Sequence, residues 1–436
     1  MKRIIRLRKA ALATVLATVM AGIAVSAVAS ALAGLVLTSC RQKVSPNIPS
    51  KELNIIYSGT PQPHEKDFIV NVFVKSFEDK FGVKVNVEFV SQADCIAAIE
   101  REQDAKKIET DVVFVDTANM APYVNGSWMV DISGMLYDGS TFTAMYDGIT
   151  NRGGERFFVP ACFDIYVLAA KVEALKYLPS GLSGEDVVDG ITWEQYAQWA
   201  VNIARGEGIG RTMMPAKEEG SQLLYPMAGM GMAYGGSFPD FTSAGFKNAL
   251  GIIAAIAREN AFYPRQDQYT APTDPMRNGD VWLTFAHMSP VGVAYVEARN
   301  SWLIGAAPTG LRGAGSTSGA WCWGIQKGAP HADLAATWIE YVTSPHVNYQ
   351  MCSRLSFLSP IKEIAPLLGT DDAVMIAGNK MLTNTVISGV PSAQYRDWNA
   401  VKSLYHEVFN QTVNAGQVPS DAFLRDLDAR CQALKN

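Results

Sequence analysis

Leu53-Asn54-Ile55-Ile56-Tyr57, then Val83-Lys84-Val85-Asn86-Val87-Glu88-Phe89, then Val112-Val113-Phe114-Val115 are three short apolar segments whose spacing decides the fold. The first reads as a strand closed by Ser58-Gly59. Phe68, Ile69, Val72, Phe73 and Phe77 follow at helical spacing. In the second segment apolar and polar residues alternate, the mark of a half-buried strand. A helical pattern from Cys95 to Lys107 leads to the third, a continuous apolar run suited to the middle of a parallel sheet. The order β-α-β-α-β predicts an open α/β sheet. Downstream, Tyr166-Val167-Leu168-Ala169 is a strand candidate, and Thr192-Trp193-Glu194-Gln195 matches a capping box that opens a helix with Tyr196, Trp199, Ala200 and Ile203 on one face. Phe246–Arg258 and Leu334–Val342 read as amphipathic helices, Gly313–Gly319 as a loop, and roughly the last hundred residues as helical throughout.

The N-terminus carries Lys2, Arg3, Arg6, Arg8 and Lys9 before an almost wholly apolar stretch from Ala10 to Leu37, with no acidic residue before Glu52. A basic leader feeding an apolar run is the layout of a secretory signal. Leu37-Thr38-Ser39-Cys40 resembles the lipobox of bacterial lipoproteins. That resemblance implies a signal peptide over residues 1–39, acylation of Cys40, and a lipidated tether over residues 40–51. Two or more acyl chains would give a stable membrane anchor, since each buried methylene contributes roughly 0.8 kcal/mol. The competing reading is an uncleaved membrane helix, for which roughly 28 apolar residues suffice. Either way the bulk of the chain is expected outside the cytoplasm, at the periplasmic face or the cell surface.

Removing the five leader cations from 37 leaves 32 Lys and Arg against 42 Asp and Glu, so the remainder is acidic. That excludes a nucleic-acid partner, which would want a basic face. Apart from Cys40, Cys95, Cys162, Cys322, Cys352 and Cys431 are odd in number and irregular in spacing, so buried free thiols are expected rather than a disulfide framework. The five histidines form no HExxH and pair with no Cys-x-x-Cys, so no metal and no cofactor is expected. The Gly313–Gly319 segment lacks the Gly-Lys-Ser/Thr ending that cradles phosphate, and no Gly-x-Ser-x-Gly elbow occurs. No enzyme is indicated.

In open α/β sheets ligands bind beyond the carboxyl ends of the strands. Thr60 and Gln62 after the first strand, and Asp116 and Asn119 after the third, stand at such ends. Sugars need hydroxyl partners and a flat ring against the apolar face of the pyranose. Asp164, Tyr166, Trp321, Trp323, Tyr395, Arg396 and Trp398 add further polar groups and rings, with core packing the competing role for each ring.

Together these segments resemble the extracellular solute-binding proteins of carbohydrate ABC importers, the family that includes maltose-binding protein. The markers stand in family order: Phe77–Val85, Asp111–Asp116, Gly126-Ser127-Trp128, Phe158-Val159-Pro160 leading to Asp164, Asn278–Phe285, and Gly319–Ile325. The resemblance implies a two-lobed periplasmic-binding-protein fold with three interlobe crossings, at the last three of those markers, and a helical C-terminal segment. It divides the chain into a first lobe of 52–162 plus 286–326 and a second of 163–285 plus 327–436. It further implies a monomer that takes a sugar between its lobes and passes it to the importer's transmembrane subunits. Asp164 and Asp116 match sugar-binding carboxylate positions, Trp398 a stacking tryptophan, and Tyr225 an aromatic cluster of the second lobe. The sequence departs from the family at His287-Met288-Ser289-Pro290, where a stacking tryptophan is common, and in the Thr60–His64 loop, which lacks a charged pair. Alternatives are a charged solute, such as a glycerol phosphate or polyamine, and a surface lipoprotein that binds a host or matrix partner.

Overall fold

The computed structural model describes residues 51–436, apart from residues 60, 62, 136–149, 153, 221, 356, 370 and 371. The expected leader, Cys40 and all of the tether but Lys51 lie outside the described residues. β1 (Glu52–Ser58), α1 (Lys75–Phe81), β2 (Lys84–Val90), α2 (Gln92–Ala105) and β3 (Val112–Asp116) form the expected β-α-β-α-β start. β1 lies parallel to both β2 and β3, with Leu53 opposite Val85 and Ile56 opposite Val113. Gly82, at φ 66, ends α1 in the left-handed conformation that glycine adopts without penalty.

β4 (Val159–Lys171) runs for 13 residues, three times the span legible in the sequence, and all but Lys171 are buried. Its length is hidden because a strand buried on both faces loses the apolar/polar alternation. α3 (Trp193–Glu207) starts at the predicted capping box, with the Thr192 and Gln195 side chains each accepting from the other's backbone N–H. β5 (Thr212–Met213), α4 (Leu224–Ala233), α5 (Ala244–Arg258), β6 (Leu283–His287), α6 (Met288–Glu297) and β7 (Trp302–Gly305) follow. Next comes β8 (Gly313–Ile325), the second 13-residue strand. After it come α7 (Ala332–Val342), α8 (Pro345–Leu355), α9 (Ala373–Asn384), β9 (Thr385–Gly389), α10 (Trp398–Ala415) and α11 (Asp421–Gln432). The C-terminal segment is thus helical except for β9, whose β-branched Thr385, Val386 and Ile387 suit a strand lying parallel to β8.

The sheet runs in the order β2-β1-β3-β8-β4-β6-β5, with β7 added on β4 and β9 on β8. β4 and β8 are antiparallel, with Gly319 opposite Asp164. On one side of that point β8 pairs with β3, Trp321 standing opposite Asp116. On the other side β4 pairs with β6 and β7, and β8 with β9. The two long strands therefore belong to both lobes and are two of the three crossings. Leu358 passes beside them, bridged to Phe163 by two backbone hydrogen bonds of 2.9 and 3.0 Å. The Asn278–Phe285 passage, expected to cross, instead stays in one lobe: β6 pairs with β5 and with the end of β4. In the other lobe Trp338 of α7 packs edge-on against Phe73 and Phe77.

Gly313–Gly319 is part of a central strand, not the loop its composition suggests. Its small residues are required by α4, every residue of which is buried. A Cβ at Gly315 would stand 2.2 Å from the Gly229 carbonyl oxygen and 2.7 Å from the Ala233 nitrogen, so strand and helix meet backbone to backbone. The five cysteines of the described residues are free and buried.

Gly315→Ala should therefore lower stability in urea denaturation by about 1–3 kcal/mol, the usual cost of overpacking. Gly292→Ala, within α6 where a Cβ meets nothing within 4 Å, should instead raise stability by about 0.5–1 kcal/mol through helix propensity. Equal effects from the two substitutions would refute close strand–helix contact as the reason for the glycines.

Candidate functional site

A cavity of about 380 Å³ opens where the crossings meet. Asp116, the last residue of β3, caps the turn after it, Oδ1 accepting from the Ala118 N–H at 2.7 Å. Trp321 lies beside it on β8, stacked on Phe114 with ring centroids 5.4 Å apart and planes 9° apart. Asp164, mid-way along β4, brings a nearly buried carboxylate to the wall. Its Oδ1 is 2.7 Å from Nε2 of His287, the final residue of β6. Its Oδ2 is buried and meets no hydrogen-bond partner among the described residues. Gln92 Oε1, on the same cavity, is in the same condition. Across the cavity Tyr225 of α4 accepts from Trp398 Nε1 at 3.4 Å, and Tyr166 donates to Gln222 Oε1 at 3.3 Å.

Gly319 makes this convergence possible. A Cβ there would stand 3.7 Å from Asp116 Oδ2 and 4.0 Å from His287 Nε2, so a side chain would fill the space between them.

Of the residues selected from sequence, Asp116, Asn119, Asp164, Tyr166, Tyr225 and Trp321 line the cavity together. Thr60 and Gln62 lie outside the described residues. Trp398 does not reach the cavity wall: it is buried behind Tyr225, its ring against Phe238 and Tyr395. Tyr395 is buried too and bridges to Lys435 through the backbone. Arg396 is exposed, its N–H donating to the Leu434 carbonyl. Sequence reasoning missed His287, Lys402 and Gln92. His287 had a signal, since it ends a strand; Lys402 stands one helical turn beyond Trp398 on α10.

Burial pushes the Asp116 carboxyl up to about 6, with the Asp164 charge adding to the rise and the Ala118 N–H, His287 and Lys402 opposing it. Burial alone would lower His287, but the charge and hydrogen bond of Asp164, with Asp116 behind them, hold it above its ordinary value. Burial lowers Lys402, against the pull of Asp116. The wall thus sets two carboxylates beside one imidazole and one ammonium. This chemistry can give and take hydrogen bonds in a confined, partly apolar space. Among the described residues no group of three or more His, Cys, Asp or Glu is arranged to hold a metal ion, and no helix is long and apolar enough to cross a membrane.

Two α/β lobes joined by three crossings, with a polar and aromatic cavity at the crossing point, define a protein that encloses a small solute. Residues 73–377 match the model of the bacterial extracellular solute-binding protein family, and the chain belongs to that family of binding proteins. No curated protein matches the chain by sequence. Among solved structures, the cyclic alpha-maltosyl-1,6-maltose binding protein of Arthrobacter globiformis is similar, with TM-score 0.73 and 13% identity over 88% of this chain and 99% of that one. The sugar-binding protein MalE of Xanthomonas citri is similar at TM-score 0.70 and 19% identity, over 88% and 97% of the two chains. An ABC transporter solute-binding protein of Thermotoga lettingae, bound with alpha-D-tagatose, gives TM-score 0.70 and 16% identity over 88% and 100%.

The raised Asp116 has a consequence for stability. The folded protein holds this proton more tightly than the unfolded chain, whose aspartates titrate near 3.9, so its contribution is present at low pH and is lost as pH rises through about 6. Asp116→Asn, which keeps the turn cap, should stabilise the ligand-free protein at pH 7.5 by about 1–3 kcal/mol, and the gain should shrink towards pH 4.5. His287 adds a slope of the same sign and His406, lowered by burial, one of the opposite sign, so the wild-type and variant melting curves are compared at each pH. A pH-independent difference would show that Asp116 is not under strain from burial.

Proposed function

We propose that the chain captures a sugar or short oligosaccharide between its lobes by hinge closure and delivers it to the transmembrane subunits of an ABC importer. The observation that carries this reading is the buried, unpartnered Asp164 Oδ2 on the same wall as Trp321: a strong acceptor for a hydroxyl beside a flat ring for a pyranose face. Asp116 and Asn119 add hydroxyl partners from the first lobe, and Tyr225 a ring and a hydroxyl from the second. A ligand that touches both lobes has the differential affinity needed to shift an open–closed equilibrium. The sugars named for the Arthrobacter and Thermotoga relatives agree with it. The cavity wall balances two carboxylates against His287 and Lys402, which gives no advantage to a polyamine or a glycerol phosphate.

In this reading residues 1–39 are a signal peptide, and Cys40 is the acylated anchor of a monomer held at the outer face of a bacterial membrane. The lobes are best divided where the crossings run side by side: 52–163 plus 319–357 in the first, 164–318 plus 358–436 in the second. The pairing of β7 with β4 and the packing of Trp338 on Phe77 support this division over the one expected from sequence.

Thermal unfolding of the full-length chain in detergent, against mono- and oligosaccharides with spermidine and glycerol phosphate as controls, tests the reading. Ligand at a hundred times its dissociation constant adds about 2.7 kcal/mol. At the usual unfolding entropy per residue, that raises the midpoint by about 3 °C for a chain of this length. Asp164→Ala should abolish the shift while leaving the protein folded. A shift with a charged control alone would replace the sugar, and no shift with any compound would remove the small-solute reading in favour of a partner protein.

A further inference from the structure

His287 ends β6 at the cavity wall, where its imidazole meets one carboxylate directly and shares a neighbourhood with a second from another strand. Nε2 is 2.7 Å from Asp164 Oδ1, and it shares with Asp116 Oδ2 the space left by the missing side chain of Gly319. The ring is held edge-on by Tyr166, centroids 5.1 Å apart. We propose that His287 is the positioning residue of the ligand site: its Nε2–H holds Asp164 Oδ1 so that Oδ2 is presented to the cavity, and when protonated it favours the ionised form of Asp116. The proposal rests on the sugar-binding reading for its ligand.

Asp116 feels the charge of Asp164 across the wall, which disfavours its ionised form. A proton taken up by Asp116 would cost the ligand a hydroxyl acceptor. The charge of a protonated His287 opposes that uptake. The titratable groups that face the pair are Asp164 on β4, Asp116 on β3, Lys402 on α10, the phenols of Tyr166 and Tyr225, and the thiols of Cys162 and Cys322. Burial holds both phenols and both thiols above their ordinary values, so they remain neutral across the working range. Among the described lining residues, the groups that can carry charge are therefore two carboxylates, one imidazole and one amine. With His287 and Lys402 protonated, a ligand entering this wall has no net charge to neutralise. The group it favours both donates and accepts, which is a hydroxyl of an uncharged sugar. Capture is then proton-linked: a ligand hydroxyl binds ionised Asp116, and affinity falls as pH drops through its value of about 6.

His287→Gln and His287→Leu separate the two roles, because glutamine keeps an N–H donor without the charge and leucine keeps neither. Calorimetry with glucose, mannose, maltose and maltotriose, from pH 5 to 8.5, reads affinity. His287→Leu should lose roughly tenfold to a hundredfold at every pH, the cost of a charge-assisted hydrogen bond. His287→Gln should recover most of that at pH 8, but its affinity should fall away at a higher pH than in the wild type, because Asp116 has lost the cation facing it. Equal losses in both variants with an unmoved acid limb would mean a purely structural role and overturn the proposal. NMR of the ligand-free chain decides it independently. Labelled histidine should show His287 protonated at Nε2 and titrating above 6.5, and carboxyl-labelled aspartate should show the Asp116 midpoint rising in His287→Gln. If none of the four sugars binds, the sugar reading fails alone; an Asp116 midpoint unmoved by His287→Gln overturns the role of His287.

Discussion

The antiparallel contact between β4 and β8 is the constraint on which the rest depends. Both strands are 13 residues long, and both pass from one lobe to the other with Asp164 facing Gly319 at their midpoint. Because β8 pairs with β3 at one end and β9 at the other, and β4 with β8 at one end and β6 and β7 at the other, the two strands tie both halves of the sheet together. The cavity is a by-product of this sharing. Where the pairing partners change, the strands leave one another's neighbours behind, and polar side chains occupy the gap that no strand fills. A buried carboxylate at that point would be a fault in an ordinary sheet. Here it meets a cavity, and its second oxygen is left for whatever enters.

Close approach of backbones sets the other half of the geometry. α4 lies directly on the glycine- and serine-rich end of β8, Gly229 against Gly315, and so brings Tyr225 to the cavity wall. Tyr225 is in turn backed by Trp398 and Phe238, a stack of rings that fixes its hydroxyl from behind. On the first lobe Trp321 is supported in the same way by Phe114, with the left-handed Gly59 allowing the end of β1 to pass over its ring, 3.0 Å from where a Cβ would be. Trp321 and Tyr225 thus each have a second ring behind them, which limits the freedom a ligand would otherwise have to freeze.

How far the sequence revealed this depended on periodicity. β1 to β3 were legible because alternation and short apolar runs mark strands of a sheet with helices between them, and Asp116 followed from the rule that strand ends carry ligands. β4 was legible for only four residues, since burial on both faces erases the period of two. The first half of β8, Gly313–Gly319, reads as a loop because its glycines signal a turn in isolation, and only the presence of α4 shows that they serve packing. Trp398 was the natural choice for a sugar platform, but helix α10 turns it towards Tyr225 and presents Lys402, four residues later, to the cavity. The crossings next to Asp164 and Gly319 were placed from the family markers, whereas the passage through Leu358 carries no composition of its own and shows only in its bridge to Phe163.

The electrostatics follow from the same topology and pull against stability. Asp116 is raised because β3 delivers it to a buried point beside a second carboxylate, and the fold accepts a group that would rather be protonated. Nothing in the packing of the sheet requires an acid there, since the turn cap it supplies would be served equally by an asparagine. The acid makes physical sense only if something that donates hydrogen bonds arrives to stabilise its charge. The same holds for Asp164 Oδ2 and Gln92 Oε1, acceptors withdrawn from solvent and left unpaired within the protein. A fold that places two such acceptors and Asp116 around one small cavity, with an imidazole beside them, trades stability in the empty state for the hydrogen bonds an arriving donor would make. That trade sets the polar wall of this site apart from a packing void such as the small, wholly apolar one between β1 and Trp338.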